Sequence, residues 1–449
     1  MKSSEMKNKF WNTIFTPACI VLLMTSCAQQ PKETINNIDV LHENEEQLTQ
    51  VIIYDVFTPP VASRIYAYTS LASYEALRHM QPGAASLTEK MREFDKMPEP
   101  EAGKTYNFVL AASRAFFNVA HKVVFSTDSL ERYETPLFAR FKKVINDDSV
   151  YQRSMAFGED IAKRILARAA KDNYTQSRGK PKFLGSNEPG KWKPTPPDYL
   201  DGVEWCWNEI HSFLLDSASQ FFAEPPPAYS TDTTSEFFKM VNQVYTKRKT
   251  LTSDEALVAR FWDDNPFVLE HSGHLTFANK KITPGGHWMG IAGIAARQAK
   301  ADEVKTAQTF ALTAVALYDA FISCWDTKYK YSYIRPVTVI NEHIEKSWTP
   351  FLQTPPFPEY TSGHSTITGS ASEVLTALYG DHFAFLDSSD KKYIGLERHF
   401  NSFREAAMEC SDSRFYGGIH YKLTVDRSAA LGRAIGDMII KKVGLTPVN

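Results

Sequence analysis

Val61-Ala-Ser-Arg-Ile-Tyr-Ala-Tyr-Thr-Ser-Leu-Ala-Ser-Tyr-Glu-Ala-Leu77 spaces its apolar residues three and four apart, the interval at which side chains share one face of an α-helix. Pro59-Pro60 stands just before it, where proline's fixed φ suits a first helical turn. Outward from this stretch the same period runs over Tyr106 to Val123 and over 133 to 170, with a break around Asp147-Asp148. It resumes at Glu236 to Lys249, Asp254 to Trp262, Trp288 to Ala299 and Ala301 to about Trp325. Later helices are predicted at Thr366 to Tyr379, Tyr393 to Cys410 and Val425 to Val443. Between about Asn173 and Pro227 the prolines at 181, 189, 194, 196, 197 and 225–227 break any long element, so a long connection with short helices is expected. Strand-like alternation is scarce and no internal repeat is visible. The pattern predicts an all-α fold of packed bundles.

With 449 residues, 43% hydrophobic and 13% aromatic, the chain can bury a large core as one big domain or two, which excludes a disordered protein. A net charge of −2, with no dense Lys/Arg run beyond the N-terminus, gives nucleic acid no electrostatic footprint. Lys2, Lys7 and Lys9 precede an apolar stretch from Trp11 to Met24 that ends at Leu23-Met-Thr-Ser-Cys27. A charged start, a short apolar core and small residues before a cysteine resemble a bacterial lipoprotein signal. Residues 1–27 are therefore read as that signal and Cys27 as the acylated residue, with an ordinary signal peptide or short anchor as the alternative. The stretch is too short to span a bilayer comfortably. The expectation is an exported lipoprotein facing the periplasm or cell exterior, held to the membrane only through its lipid. Residues 28–50 are polar and acidic and are expected to be a tether without a core. Residues 51–449 are expected to form the helical body, with its chemistry at about 300–445. After processing, Cys206, Cys324 and Cys410 would remain, an odd number without metal-like spacing; one disulfide or buried free thiols are both open.

Three segments carry the chemistry: Lys328-Tyr-Lys-Tyr-Ser-Tyr-Ile-Arg335-Pro336, then Ser362-Gly363-His364, then Ser413-Arg414-Phe-Tyr-Gly-Gly-Ile-His420. Arginine presents a planar fork of donors, lysine a compact charge, and a Ser-Gly turn entering a helix a hydroxyl and backbone N–H groups; together they suit a tetrahedral oxyanion. His364 and His420 remain for chemistry. Each segment is weak alone, since Ser272-Gly273-His274 repeats the middle one without a Lys and Arg-Pro segment shortly before it. The ordered triple is specific.

This triple resembles the superfamily that joins type 2 phosphatidic acid phosphatases to vanadium-dependent haloperoxidases, whose signature runs Lys-x6-Arg-Pro, Pro-Ser-Gly-His, Ser-Arg-x5-His-x3-Asp. Two positions depart from it: Thr361 replaces the proline, and Thr424 replaces the aspartate that would orient His420 Nδ1. Asp426 comes two residues too late to take over, so another carboxylate or carbonyl must fix the histidine's tautomer. The resemblance implies a vanadate or phosphate site built by Lys328, Arg335, Ser362, Gly363, Arg414 and His420. His420 Nε2 would bond the central atom, vanadium or phosphorus, and His364 would be the acid–base residue. In the oxidative reading His364 takes a proton from hydrogen peroxide, Lys328 polarises the transferred oxygen, and a halide is oxidised to hypohalous acid. In the hydrolytic reading His420 attacks a phosphate ester and His364 protonates the leaving group. A non-catalytic phosphate-binding lipoprotein is the third reading, disfavoured by the paired histidines.

The surroundings resemble haloperoxidases more than small membrane phosphatases. Trp325 stands three residues before Lys328, and Thr354-Pro-Pro-Phe357-Pro-Glu-Tyr360 leads into Thr361. Gly190-Lys-Trp-Lys-Pro-Thr-Pro-Pro and Phe261-Trp-Asp-Asp-Asn-Pro resemble bacterial members, and the chain looks most like short iodide-oxidising ones. Phe357, with Trp325, is the candidate halide pocket; a packed core phenylalanine is the alternative. Asp263 and Asp264 are the carboxylates expected to reach the cations, one pairing with Arg414, unless they are a surface acidic pair. Pro284-Gly-Gly-His287-Trp288 reads as an entrance or a simple turn before a helix. His271 and His274 lack a third ligand at a usual metal spacing.

Overall fold

The structure, a computed structural model, describes residues 34–448 apart from 267, 273, 274, 279 and 280, and leaves the side chains of 269–280 undescribed. The expected signal segment with Cys27, the stretch 28–33, and Gly273 and His274 lie outside the described residues. His271 belongs to the undescribed side chains. From Ile35 onward the chain is one compact unit. That corrects the tether expected over 28–50 for its part from Asn37 onward. Helix α1 (Asn37–Tyr54) starts there, capped by the Asn36 side chain, and its Val40, Leu41, Leu48, Val51 and Ile52 are buried. The acidic residues between them had set the composition; the apolar positions three, four and seven apart set the structure.

Thr58 caps α2 (Pro59–Leu77) by accepting the Val61 N–H at 3.4 Å, and Pro59 and Pro60 take positions whose N–H groups a helix leaves unpaired. Every residue of α2 is buried, so it is a core helix covered all round. It packs against α3 (Phe108–Val123), which in turn packs against α4 (Thr127–Val144) and α5 (Asp148–Ala169). The predicted break at Asp147-Asp148 is real: Asp147 caps α5 with its carboxylate. The proline-rich connection holds only α6 (Tyr174–Arg178) and short turns before α7 (Glu236–Thr250) and α8 (Ser253–Phe261). Two antiparallel hairpins, β1 (Leu269–Ser272) with β2 (Leu275–Ala278) and β3 (Phe385–Asp387) with β4 (Arg398–Phe400), are the strands among the described residues.

The second half centres on α10 (Glu303–Tyr331), preceded by α9 (Pro284–Gln298) and followed by α11 (Pro336–His343). Helix α10 is long and apolar enough to cross a membrane by composition, but 94% of its most apolar stretch is buried inside the protein. Its apolar face is used up in the core. It packs on α2 and on α12 (Gly363–Tyr379), and α12 packs on α15 (Lys422–Val443) and α14 (Phe403–Tyr416), with the short α13 (Lys391–Ile394) between. The α12–α15 crossing is close because Gly432 has no side chain; a Cβ there would strike the Thr366 carbonyl. Helix α10 runs six residues past its expected end, and α14 begins ten residues after its expected start at Tyr393, at the Ser402 cap. Cys206, Cys324 and Cys410 are buried free thiols.

Candidate anion site

The three motif segments meet where four helices end. Lys328 occupies the last turn of α10 and Arg335 is the N-cap residue of α11. Ser362 caps α12 and Arg414 occupies the last turn of α14, before the loop that carries His420 to α15. The helix ends expected at about Trp325 and Cys410 would have left Lys328 and Arg414 outside their helices; both instead lie in last helical turns. Two helices point their N-termini at the site, and two reach it by C-terminal turns on which a cation offsets the negative end of the helix dipole. Both arrangements put positive charge in one place.

The first and third segments are in direct contact: Arg335 Nη1 lies 3.3 Å from His420 Nε2. The middle and third also meet, Arg414 Nη1 lying 3.3 Å from His364 Nε2. Lys328, Arg335, Ser362, Arg414 and His420 are all buried, Arg335 at 0% exposure, whereas His364 keeps part of its surface open. His364 thus marks the accessible side. Arg335 donates from Nε to the Phe357 carbonyl at 2.9 Å and from Nη1 to the Ile419 carbonyl at 2.7 Å, but its buried Nη2 has no partner. Lys328 differs from expectation. Its ammonium is held by the carbonyls of Pro358 (2.9 Å), Glu359 (3.3 Å) and Thr361, so it contributes charge and braces the segment that leads to Ser362. The Ser362 N–H goes to Ser428 Oγ at 2.9 Å, while its own Oγ accepts from Ser365. Thr361, in the position of the family proline, follows a cis peptide bond.

What orients His420 is Glu359, a residue the sequence reading did not single out. Its Oε1 lies 2.8 Å from His420 Nδ1 and accepts the Tyr421 N–H at 3.1 Å. Its Oε2 accepts from Thr424 Oγ1 at 2.9 Å. Thr424 stands where the family signature has aspartate, so the carboxylate has moved to another segment and the hydroxyl now holds it in place. With Nδ1–H bound to Glu359, the lone pair of His420 is on Nε2, facing Arg335. The available signal was one acidic residue inside the apolar run Thr354 to Tyr360. Asp426 instead pairs with Lys422 at the surface.

Electrostatically the site is a crowd of cations with one buried counter-charge. Burial lowers Lys328 to about 7 and Arg335 to about 10, although Glu359 opposes both shifts. Burial also pushes Glu359 up to about 7, against the pull of Arg335. His420 is held well below the ordinary imidazole range by burial and by the charges of Arg335 and Lys328; His364 is lowered likewise by burial and Arg414. Both rings are thus neutral near pH 7, the state in which an imidazole nitrogen accepts a proton or bonds an electrophile. An anion entering this pocket would offset the mutual repulsion of its walls.

Phe357 lies against the two basic groups, its ring 5.0 Å from Lys328 Nζ and 5.2 Å from Arg335 Cζ, and 5.2 Å from the Trp325 ring. The two aromatics form an apolar wall beside the cations. Gly190 to Trp192 back the turn between Lys328 and Arg335 through backbone bonds to Ser332 and Ile334. The expected carboxylate pairing of Arg414 is not found. Arg414 takes the backbone carbonyls of Asp263 (3.2 Å) and Trp262, while the Asp263 side chain binds Lys281 at 2.5 Å and Asp264 binds His287 at 3.0 Å. Nor does Pro284 to Trp288 form an entrance: it is the buried first turn of α9.

The family described as the VCPO second helical-bundle domain matches residues 308–446. The vanadium chloroperoxidase of Curvularia inaequalis is 22% identical over 355 residues, which are 62% of this chain and 57% of that protein. Among solved structures, one described as the first bacterial vanadium-dependent iodoperoxidase superposes with a TM-score of 0.87 at 43% identity, over 93% of this chain and all of that one. A holo-type bacterial vanadium-dependent chloroperoxidase superposes with a TM-score of 0.72 at 18% identity, over 93% and 99% of the two chains, a likeness of fold.

Proposed function

We propose, for a chain that belongs to the vanadium-dependent haloperoxidase family, that it oxidises a halide with hydrogen peroxide to hypohalous acid, and that the halide is iodide. The observation that carries this reading is the pairing of His420 Nε2, freed by Glu359, with the guanidinium of Arg335 at 3.3 Å. Iodide is supported by the 43% identity to a protein described as an iodoperoxidase. It is also the halide easiest to oxidise.

The residues fit vanadate on their own chemistry. A tetrahedral oxyanion needs donors on several sides, and the buried, unpartnered Nη2 of Arg335 is one without any other use. Arg335, Arg414, the Ser362 hydroxyl and the first turn of α12 at Gly363 would hold the oxygens, with His420 Nε2 on the central atom. Bound vanadate supplies a Lewis acid that activates peroxide toward the halide. The chain supplies the rest. His364, neutral and on the open side, would accept a proton from hydrogen peroxide at Nε2, the nitrogen that lies 3.3 Å from Arg414 Nη1. Lys328, its ammonium held by three backbone carbonyls, adds positive charge beside the anion without leaving them. Phe357 and Trp325 exclude water beside the cations and offer a polarisable surface to a large halide.

The test is to strip the protein lacking residues 1–27, add orthovanadate, and measure triiodide formation from iodide and peroxide. Vanadate-dependent triiodide is the expected result. Hydrolysis of a phosphate ester that vanadate inhibits would instead assign the acid phosphatase reading. Export and lipid anchoring at Cys27 are a further proposal, supported by the charged and apolar pattern of residues 2–27. Cys27→Ala should move the protein out of the membrane fraction; unchanged partition would contradict it.

A further inference from the structure

Behind the carbonyls that hold Arg414 lies a second buried cluster, opposite in sign. His287 is 0% exposed and lies between carboxylates: Nδ1 is 3.0 Å from Asp264 Oδ2 and 3.8 Å from Asp390 Oδ2, and Nε2 is 2.9 Å from Asp387 Oδ2. All three aspartates are buried, Asp390 at 3% exposure. The other oxygen of Asp390 has no partner, so a buried carboxylate is incompletely satisfied in a cluster already rich in negative charge. Three carboxylates face one imidazole.

We propose that Asp264, His287 and Asp390 form a divalent cation site, with Asp387 as the residue that orients the histidine. The candidate ligand atoms of the three residues all lie within 4.8 Å of one another. Zinc bonds of about 2.0–2.2 Å in tetrahedral geometry require ligands about 3.3–3.6 Å apart, which the observed 3.0 and 3.8 Å bracket. Asp387 on Nε2–H completes a carboxylate–histidine–metal chain, the arrangement that fixes which ring nitrogen carries the lone pair. Ser388 and Ser389, which precede Asp390 in the chain, line a cavity of about 490 Å³. One imidazole with two carboxylates suits Zn²⁺ through its nitrogen or Mn²⁺ through its oxygens.

The site is tied to the anion pocket through the backbone. Asp264 directly follows Trp262 and Asp263, whose carbonyls hold the guanidinium of Arg414. An ion on Asp264 would therefore pin the segment that aims Arg414, a structural role distinct from vanadate binding.

The experiment uses the full chain, dialysed against a chelator and then titrated with Zn²⁺ or Mn²⁺ alone. Metal content after gel filtration and thermal melting are the readouts, neither of which depends on halide oxidation. Wild type should retain one ion per chain and melt higher with it. Asp390→Asn should lose both effects, and Asp387→Asn should weaken affinity about 10–100-fold. His287→Gln should also lose the ion; if that variant does not fold, the isosteric Asp390→Asn decides. Retention of neither ion by wild type, or equal retention by Asp390→Asn, would overturn the proposal and leave His287 as a buried imidazolium.

Discussion

Arg168 and Arg335 are both arginines almost wholly buried, at 1% and 0% exposure, and they differ in how their donors end. Arg168 in α5 bonds the carbonyls of Arg92 (3.1 Å), His211 (3.0 Å) and Ser212 (3.1 Å) and the Tyr68 hydroxyl (3.2 Å). Arg335 spends Nε and Nη1 on carbonyls and keeps Nη2 without a partner. The same holds for the regions around them. In the N-terminal half Arg64 meets Asp172 at 2.7 Å, and Asp319 of α10, facing that half, accepts three backbone N–H groups. At the anion site several cations share Glu359. The donors of Arg168 are all met by the chain and brace the fold, whereas the spare arm of Arg335 marks a place for an anion, because native folds rarely leave such groups unpaired.

The largest test of that distinction acts on the open side. His364→Ala should cut iodide oxidation by about 10²–10⁴-fold, the range of a lost general acid–base group, while the protein still takes up vanadium. Full activity in this variant would remove His364 from proton transfer. His420→Ala is its counterpart and should abolish vanadium uptake itself; unchanged vanadium content would contradict the assignment of Nε2 as the ligand.

The next test sharpens the role of the counter-charge. Glu359→Gln should weaken vanadate binding and activity about 10–100-fold, as loss of an orienting partner does at metal-ligating histidines. The double variant Glu359→Gln with Thr424→Asp should regain part of that loss, because it returns the carboxylate to the family's position. No rescue, together with a lowered melting point, would show that Glu359 serves packing alone.

A smaller effect belongs to the closed region. Burial raises Glu45 of α1 from 4.5 to about 8, against the bond it accepts from Ser70. Between those values the folded state keeps a proton that the unfolded state has released. Its stabilising contribution is complete below about 4.5 and is lost as pH rises through about 8. Glu45→Gln, neutral throughout, should close that gap: its melting point relative to wild type should rise by a few degrees between about pH 5 and pH 9. A constant difference would place an ionised Glu45 in the fold.

Period and motif made much of this molecule legible. Val61 to Leu77, the break at Asp147 and the last helix follow from apolar spacing, and the cations of the pocket follow from three short segments. What escaped was set by contacts between distant segments. Helix α1 was hidden by Glu43, Glu45 and Glu46, whose charge dominates composition although Glu45 is buried. Helix α11 is eight residues long, too short for its period to stand out. Glu359 reaches a histidine 61 positions away, and Asp264, His287, Asp387 and Asp390 come from three separate stretches. Spacing along the chain carries no trace of such pairings.

The most direct measurement sets the two buried arginines against each other: equilibrium dialysis of orthovanadate with the stripped protein and with its Arg335→Lys and Arg168→Lys variants. Both substitutions keep the charge and remove the planar fork. Arg335→Lys should weaken vanadate binding by about 10–100-fold, the worth of one or two charge-assisted hydrogen bonds, while Arg168→Lys should lower only the melting point. Equal affinity in wild type and Arg335→Lys, or an equal loss in both variants, would contradict the claim that the unpaired arm of Arg335 is there for an oxyanion.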